Sequence, residues 1–517
     1  MEDQSTLADA ASGSVVSVFS LFGGQVLATL VAGFSSIFLA RILGPEEYGK
    51  YSLSITIPGF LMLTTDFGLS AALAREMSRL SAKGDLSSAS PLAGLALRFV
   101  LSTSLCSMVL GFMFSEELSA ILLNRPELAP VARIALPLVV FNSLLNLSHS
   151  ALLGLGDAKA LGLLPIVRDT FRSIASLTLS LYWGCSGAVL GFVTGHALAA
   201  IVGLLLLRRR IEAFGPAEWG KLRVFLEYGL PIYGSTALGT ALSVYQNSII
   251  AWFATDEEVG NLKVAANFLA LLQLFSAPIA TTLFPTFSKL EKTDAKRAFR
   301  YAAKYSALML APLGAYVLIG SWDLVRLVYG EAYRLAPIYL SLQAVSFLWT
   351  GLGTVALGSF FQGIGETRVN FKAMVFYAFI FFPLSTALAP FASIHGVIAA
   401  TLVSSLASSL YSLREAIERG ADVDWRTAVR LSVAALLAAV PAALIMLTGV
   451  HYLIRLASSV PVYLLAYGVL TPILGCLDHS DLDALGVMLD RVPLRSIIKP
   501  ILQLEGTIIG LVRSRTK

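Results

Sequence analysis

ALLGLGDAK at 151–159 and FFQGIGETR at 360–368 share one pattern: Gly, apolar, Gly, acidic, any, basic, at an offset of 209 residues. Two further matches fall in the same order along the chain: EEYG at 46–49 with EEVG at 257–260, offset 211, and Arg98-Phe99 with Lys304-Tyr305, offset 206. Each match is short, but three in register argue for two halves of common origin. Each half contains six long apolar runs. Because six is even, the halves insert in the same orientation, related by an axis along the membrane normal.

Composition sets the environment of those runs. Of 517 residues 56% are hydrophobic and only 14% charged, against about 25% charged in an ordinary soluble domain. At about 20 apolar residues per spanning helix, fourteen spans take up nearly the whole apolar content, and the mean hydropathy of +0.75 agrees. Disordered, collagen-like and secreted disulfide-rich chains are excluded together. The runs lie near 14–40, 52–74, 92–114, 130–153, 160–183 and 186–207, then near 226–253, 264–287, 299–321, 337–361, 371–391 and 394–413, with a final pair near 427–449 and 456–477. The expected fold is an all-α polytopic membrane protein of about fourteen transmembrane helices, in two six-helix pseudo-symmetric lobes plus a C-terminal helix pair. The lobes are expected at 1–222 and 223–420, the pair at 421–478, and a cytosolic, interfacial amphipathic tail at 479–517.

Even span number puts both termini on one side. Twenty-six Lys and Arg fall on that side and 8 on the other, Lys263 among the latter. The positive-inside rule therefore predicts cytosolic termini in a cytoplasmic membrane. It also accounts for the net charge of +5 without a nucleic-acid partner. Cys106, Cys185 and Cys476 stand apart in apolar segments with no metal-ligand spacing, so they read as small packing residues and no metal or cofactor is expected.

Ionisable side chains inside spans are the most informative residues, because each costs at least about 2.5 kcal/mol at the bilayer centre unless paired or hydrated. In span five Arg168, Asp169 and Arg172 lie about 12 to 18 Å from the cytosolic end. Arg168 and Arg172 share a helix face and Asp169 reaches Arg172 at i+3. They form either a cationic patch for a phosphate or carboxylate, or an ion-paired cluster that joins helices. The repeat offset maps the two arginines onto Tyr377 and Phe381, so the second half has no matching charge. Asp66, near the middle of span two, reads as a proton or cation-coupling site, a counter-ion to those arginines, a structural salt bridge, or a carboxylate hydrogen-bonded to backbone. Arg98 and Lys304, about two turns into spans three and nine, either snorkel to headgroups or attract an anionic substrate at the entry side. Asn142, Asn146 and His149 line one face of span four, and Gln246 and Asn247 stand in span seven; such residues are helix–helix glue or sugar contacts. Glu46 and Glu47 follow Gly44-Pro45 as a helix stop and restart, and no nucleophile elbow, phosphate loop or zinc motif is present.

ARILGPEEYGKY at 40–51 followed by TDFGLSAALAREMSR at 65–79 resembles the opening signature of the polysaccharide transport branch of the multidrug, oligosaccharidyl-lipid and polysaccharide exporter superfamily, the O-antigen-type flippases. GLGDAK, GIGETR and the stretch SAPIATTLFPTFSKL ending at Leu290 are also similar to that family. The resemblance implies two lobes around a V-shaped cavity, alternating access, and a substrate of sugars on a polyprenyl pyrophosphate whose head is held by cavity cations. Membrane lipid and other polysaccharide-assembly proteins are the implied partners, and H+, Na+ or the membrane potential the implied drive. Span seven departs from the family, which often has Asp followed by a basic residue where this chain has Gln246-Asn247. Two rivals stand beside the flippase. A cation-coupled multidrug antiporter requires a cavity acid such as Asp66. A membrane glycosyltransferase or polymerase requires catalytic carboxylates, for which Glu46 and Glu47 are the candidates.

Overall fold

In the computed structural model residues 2–85, 87–211, 213–273, 283, 287, 292–477 and 481 are described, and among them the chain is helical with no strand. The expected tail at 479–517, apart from Asp481, and most of the stretch ending at Leu290 lie outside the described residues. Contacts divide the chain into two units, Met1–Asn267 with Ala389–Val397, and Phe268–Leu388 with Ile398–Lys517.

The first unit opens with α1 (Glu2–Ser54), α2 (Thr56–Leu61) and a 3-10 turn at Met62–Thr64. It continues with α3 (Leu69–Lys83), α4 (Ala89–Met113), α5 (Ser115–Leu123), α6 (Ala129–Ala135), α7 (Pro137–Gly154), α8 (Ala158–Ile211), α9 (Leu222–Phe253) and the start of α10 (Asp256–Gln273). In α1 the helix breaks at Gly44 (φ 72°, ψ 174°), ahead of Pro45, and α8 breaks at Trp183 and Gly184. The limbs of α8 fold back on one another through small residues: Gly187 lies on the backbone of Leu179, Gly191 on Ser176 and Gly195 on Arg168 and Arg172, each where a Cβ would collide. Ser176 Oγ completes the hairpin by donating to Ala188 O at 2.9 Å. Leu73, Met77, Ala93, Ala96, Leu147, Ala151, Leu164 and Ala199 form the buried core of α3, α4, α7 and α8. The sequence boundary at 222/223 falls inside this unit, because α9 packs on α2, α3 and α5.

The second unit contains α11 (Lys292–Tyr329), α12 (Ala336–Ala344), a 3-10 stretch at Val345–Leu352, α13 (Thr354–Gly363), α14 (Thr367–Glu418) apart from Ala389–Val397, α15 (Trp425–Met446) and α16 (Tyr452–Ile473). The break in α14 is at Ser393, and its limbs pair through Ser408 Oγ donating to Ala373 O at 2.8 Å. Pro312, inside α11, cannot supply the N–H that Leu308 O would accept in a regular helix. Tyr467 OH donates to Leu308 O at 3.2 Å and Tyr463 OH to Pro312 O at 2.9 Å, so α16 is seated on the proline site. In a lipid environment such repair of freed backbone groups is what makes an internal proline tolerable.

Among the described residues eight helices are long and apolar enough to cross a membrane, nine with the bent pair Ala336–Leu352 and Thr354–Gly363. With the limbs of α1, α8 and α14 taken separately, and with α9 and α10, the described chain makes fourteen passes. α9 and α10 fall short on apolarity because they carry Thr236, Thr240, Gln246, Asn247, Asn261, Lys263 and Asn267, side chains suited to a polar interior. The repeat is visible in the backbone. Asn124 (φ 55°) and Gly330 (φ 89°) are 206 apart, and Gly156 (φ 71°) and Gly365 (φ 82°) are 209 apart. Left-handed turns of this kind strongly favour glycine or asparagine.

Candidate functional site

Asp157 starts the first limb of α8: its Oδ1 accepts from Ala160 N at 3.1 Å and its Oδ2 is held by Arg210 at 2.6 Å. Eleven residues on, about 16 Å along the helix, Arg168 forks onto Asp169, Nε to Oδ1 at 3.1 Å and Nη2 to Oδ2 at 2.8 Å. Arg172 Nη2 approaches Asp169 Oδ1 at 3.5 Å. The Asp169 side chain is 4% exposed, while those of Arg168 and Arg172 are 32% and 23% exposed. One buried carboxylate thus orients two guanidinium groups that keep open faces. The close approach of Gly195 brings the second limb near enough for the Arg172 guanidinium to lie over the Phe192 ring at 5.2 Å. Phe192 stacks in turn on His196 at 4.7 Å, and His196 Nδ1 lies 2.9 Å from Phe192 O.

A third cation joins this pair. Lys263 stands two turns into α10, close enough to Arg172 for their charges to interact. Protein is dense around it, yet its surface is accessible and no carboxylate among the described residues pairs with it. The sequence reading put Lys263 in a loop by starting span eight at 264; the structure corrects this, because the helix begins at Asp256. The missed signal is the run Asp256, Glu257, Glu258, three acids of the kind that mark a helix first turn.

Asp66 occupies a different position from the expected mid-helix one. It lies in a break between the 3-10 turn and α3, where Phe67 (φ 47°) and Gly68 (φ 83°) are both left-handed. Its Oδ2 accepts from Gly68 N at 3.1 Å, its Oδ1 from Ser70 N at 3.1 Å, and Ser70 Oγ bonds the same oxygen. Asp66 therefore caps α3, and Asp169, rather than Asp66, is the counter-ion of the span-five arginines. Beside it is a cavity of about 350 Å³ bordered by Asp66, Asn142, Asn146, Tyr233, Thr236 and Thr240. Tyr233 OH donates to Leu63 O, one of the carbonyls near the break. His149, one turn along α7 from Asn146, is within reach of the Arg168 charge. Gln246 and Asn247 lie half-buried farther along α9 and do not border the cavity.

Arg98 donates Nη1 to Gly215 O at 2.7 Å and so clamps the turn before α9. Lys304 is paired with Asp481 at 2.5 Å, and Tyr305 OH donates to the same carboxylate at 3.2 Å. Glu46 and Glu47 both hold Lys50, at 2.7 and 3.1 Å, and Glu47 Oε2 also accepts from Cys185 N at 3.3 Å. Outside the spans, burial raises the Asp157 carboxyl, but the Ala160 N–H and Arg210 outweigh it and hold it below the usual range. Asp424 behaves alike: burial is overcome by the hydroxyl and N–H of Thr427.

The chain is similar to several known proteins. A Shigella flexneri protein named as an O-antigen transporter is 24% identical over 371 residues, 68% of this chain and 85% of the relative. A Haloferax volcanii protein named as a low-salt glycan biosynthesis flippase is 22% identical over 347 residues, 65% of this chain and 70% of the relative. The solved structure of the lipid II flippase MurJ in its inward closed conformation superposes with a TM-score of 0.73 at 17% identity, covering 88% of this chain and 99% of that one. The fold is therefore that of a multi-pass membrane protein of the MurJ type. Residues 14–291 match the family described as polysaccharide biosynthesis protein, more than half of the chain, and the chain belongs to that family.

Proposed function

We propose that this protein is a flippase that moves a saccharide carried on a polyprenyl pyrophosphate across the cytoplasmic membrane by alternating access. The observation that carries the reading is the pair Arg168 and Arg172 on the buried carboxylate of Asp169, with Lys263 within charge range of Arg172. Three cations against one carboxylate leave a positive surplus that costs several kcal/mol in a bilayer interior unless water or a bound anion meets it. Guanidinium forks match phosphoryl oxygens bidentately, and the ammonium adds a point charge. A pyrophosphate head satisfies all three, the sugars occupy hydrated space beside it, and the tail remains in lipid. The names of the relatives point to the same class of activity, transport rather than enzymatic conversion.

The Lys and Arg asymmetry supports cytosolic termini, and the three-fold register of motifs supports lobes of common origin at 1–222 and 223–420. The drive is H+, Na+ or the membrane potential, with no bound cofactor, and substrate passes to and from other polysaccharide-assembly proteins. The test is translocation of a fluorescent polyprenyl-pyrophosphate oligosaccharide in proteoliposomes, wild type against Arg168→Ala with Arg172→Ala. Wild-type transport abolished in the folded double variant is expected. Transport retained in the variant reduces the arginines to structure. Absence of transport by the wild type, with efflux of cationic drugs in its place, overturns the reading in favour of an antiporter.

A further inference from the structure

We propose that the cavity beside Asp66 is a saccharide subsite, selective for uncharged sugars and closed to acidic ones. The proposal rests on the flippase reading and adds to it a second site with its own chemistry. The cavity lies at the break in the second pass, walled by the 3-10 turn, α3, α7 and α9. Polar groups opening onto space at this depth are costly unless water or ligand satisfies them.

Hydrogen-bonding capacity identifies the ligand. An ionised carboxylate has about four acceptor sites, and Asp66 fills three of them with Gly68 N, Ser70 N and Ser70 Oγ. Thr236 and Thr240 donate their hydroxyl protons to Tyr233 O at 2.9 Å and Thr236 O at 3.0 Å, which leaves their oxygens to accept. Asn146 is exposed to the cavity with no protein partner among the described residues, and Asn142 spends one N–H on Met62 Sδ at 3.3 Å. The lining is rich in acceptors, with two amides that also donate. A ring of hydroxyl groups, each a donor and an acceptor, complements it. Among the described residues no Lys or Arg borders the cavity, so a sugar carboxylate would meet Asp66 with no cation between them, an arrangement that selects against acidic sugars.

The subsite is also connected to the head-group cations. Asn142 and Asn146 border the cavity and His149 feels the Arg168 charge. The three lie on one face of α7 and span about 10 Å at 1.5 Å per residue. The first sugars after a pyrophosphate seated on Arg168 would lie along this stripe. The acid is held in place: Phe67 lies between the rings of Phe99 and Tyr233, at 6.3 and 5.8 Å, and Gly68 meets Gly229 where neither tolerates a Cβ. Backbone strain of that kind persists only where surrounding structure over-determines it.

The experiment measures binding by the full-length protein in nanodiscs to three probes: polyprenyl pyrophosphate alone, the same lipid bearing a neutral trisaccharide, and the same lipid bearing a glucuronate trisaccharide. Wild type is expected to bind the neutral conjugate at least tenfold more tightly than the bare lipid and the acidic conjugate no more tightly. Asn146→Leu is expected to remove the gain and leave bare-lipid binding unchanged. Asp66→Asn is expected to admit the acidic conjugate; should it fail to fold without its helix cap, Thr236→Val reports on the same cavity by losing the neutral gain. Free neutral trisaccharide competing with the conjugate separates sugar recognition from recognition of the lipid. Equal wild-type binding of all three probes, or a neutral gain untouched in Asn146→Leu and Thr236→Val, overturns the subsite. Failure of wild type to bind the bare lipid, or equal binding by Arg168→Ala with Arg172→Ala, would instead strike the head-group reading.

Discussion

Gly184 and Ser393, 209 residues apart, adopt one backbone conformation, φ 52° and ψ −131° in the first, φ 47° and ψ −129° in the second. Each is the point at which a long helix folds back on itself, so the two halves of the chain make the same hairpin at the same place. A side chain is strained in this region, and only the first half has glycine there.

From this follows an order of stabilities. Gly184→Ser introduces the strain, with Glu47 Oε2 the nearest atom to the new Cβ at 3.4 Å, and should cost about 1–3 kcal/mol. Ser393→Ala keeps the strain and removes the hydroxyl bond to Phe253 O, 2.9 Å long, a loss of about 1 kcal/mol. Ser393→Gly removes both and should melt above Ser393→Ala. Thermal unfolding in detergent checks the order, and a reversed order would show that the turn is unstrained.

Gly49 and Gly260, equivalent through the EEYG and EEVG motifs, pack reciprocally: Gly49 on the Asp256 carbonyl and Gly260 on the Pro45 carbonyl. Either Gly→Ala change forces the two helix starts apart and should cost about 1–3 kcal/mol. The second change meets a gap already opened, so the double variant should lose less than the sum. A double-mutant cycle of melting temperatures measures this, and strict additivity would mean the two contacts relax independently.

Lys263 should contribute to anion binding independently of its bulk. Lys263→Ala is expected to weaken binding of bare polyprenyl pyrophosphate about tenfold or more, roughly 1.4 kcal/mol, and to flatten its salt dependence. Lys263→Arg should retain most of it. Equal affinity for the Ala variant and wild type would remove Lys263 from the site.

Asp157 is outside the spans, with its carboxyl held below the ordinary value by the Ala160 N–H and Arg210 in spite of burial. A folded pKa below the unfolded one, about 3.9, means the stabilisation is fully present above about pH 4 to 5 and lost as pH falls through the lowered folded value. The wild type should therefore melt above Asp157→Asn at pH 6, with the gap narrowing toward pH 3. A constant gap would show that the carboxylate acts by shape and not by charge.

Much of this fold was legible in the order of residues because lipid and backbone sterics act locally. Apolar runs of about 20 residues have few alternatives to spanning helices, and glycines such as Gly156 and Gly365 mark turns that few other residues make. Arg168, Asp169 and Arg172 were also recoverable, since helix spacing alone brings them together. Spacing did not reveal that Lys263 comes within charge range of Arg172, because the two are separated by about ninety residues and their approach depends on tertiary packing. Nor did it decide among the readings of Asp66 in favour of hydrogen bonds to its own loop, which depend on the break that Phe67 and Gly68 make in the second pass. The sequence by itself determined the number of passes, the two halves and one cationic helix face; only the tertiary structure decided which charges meet, because electrostatic and hydrogen-bond partners are set by distances in space and not by separation along the chain.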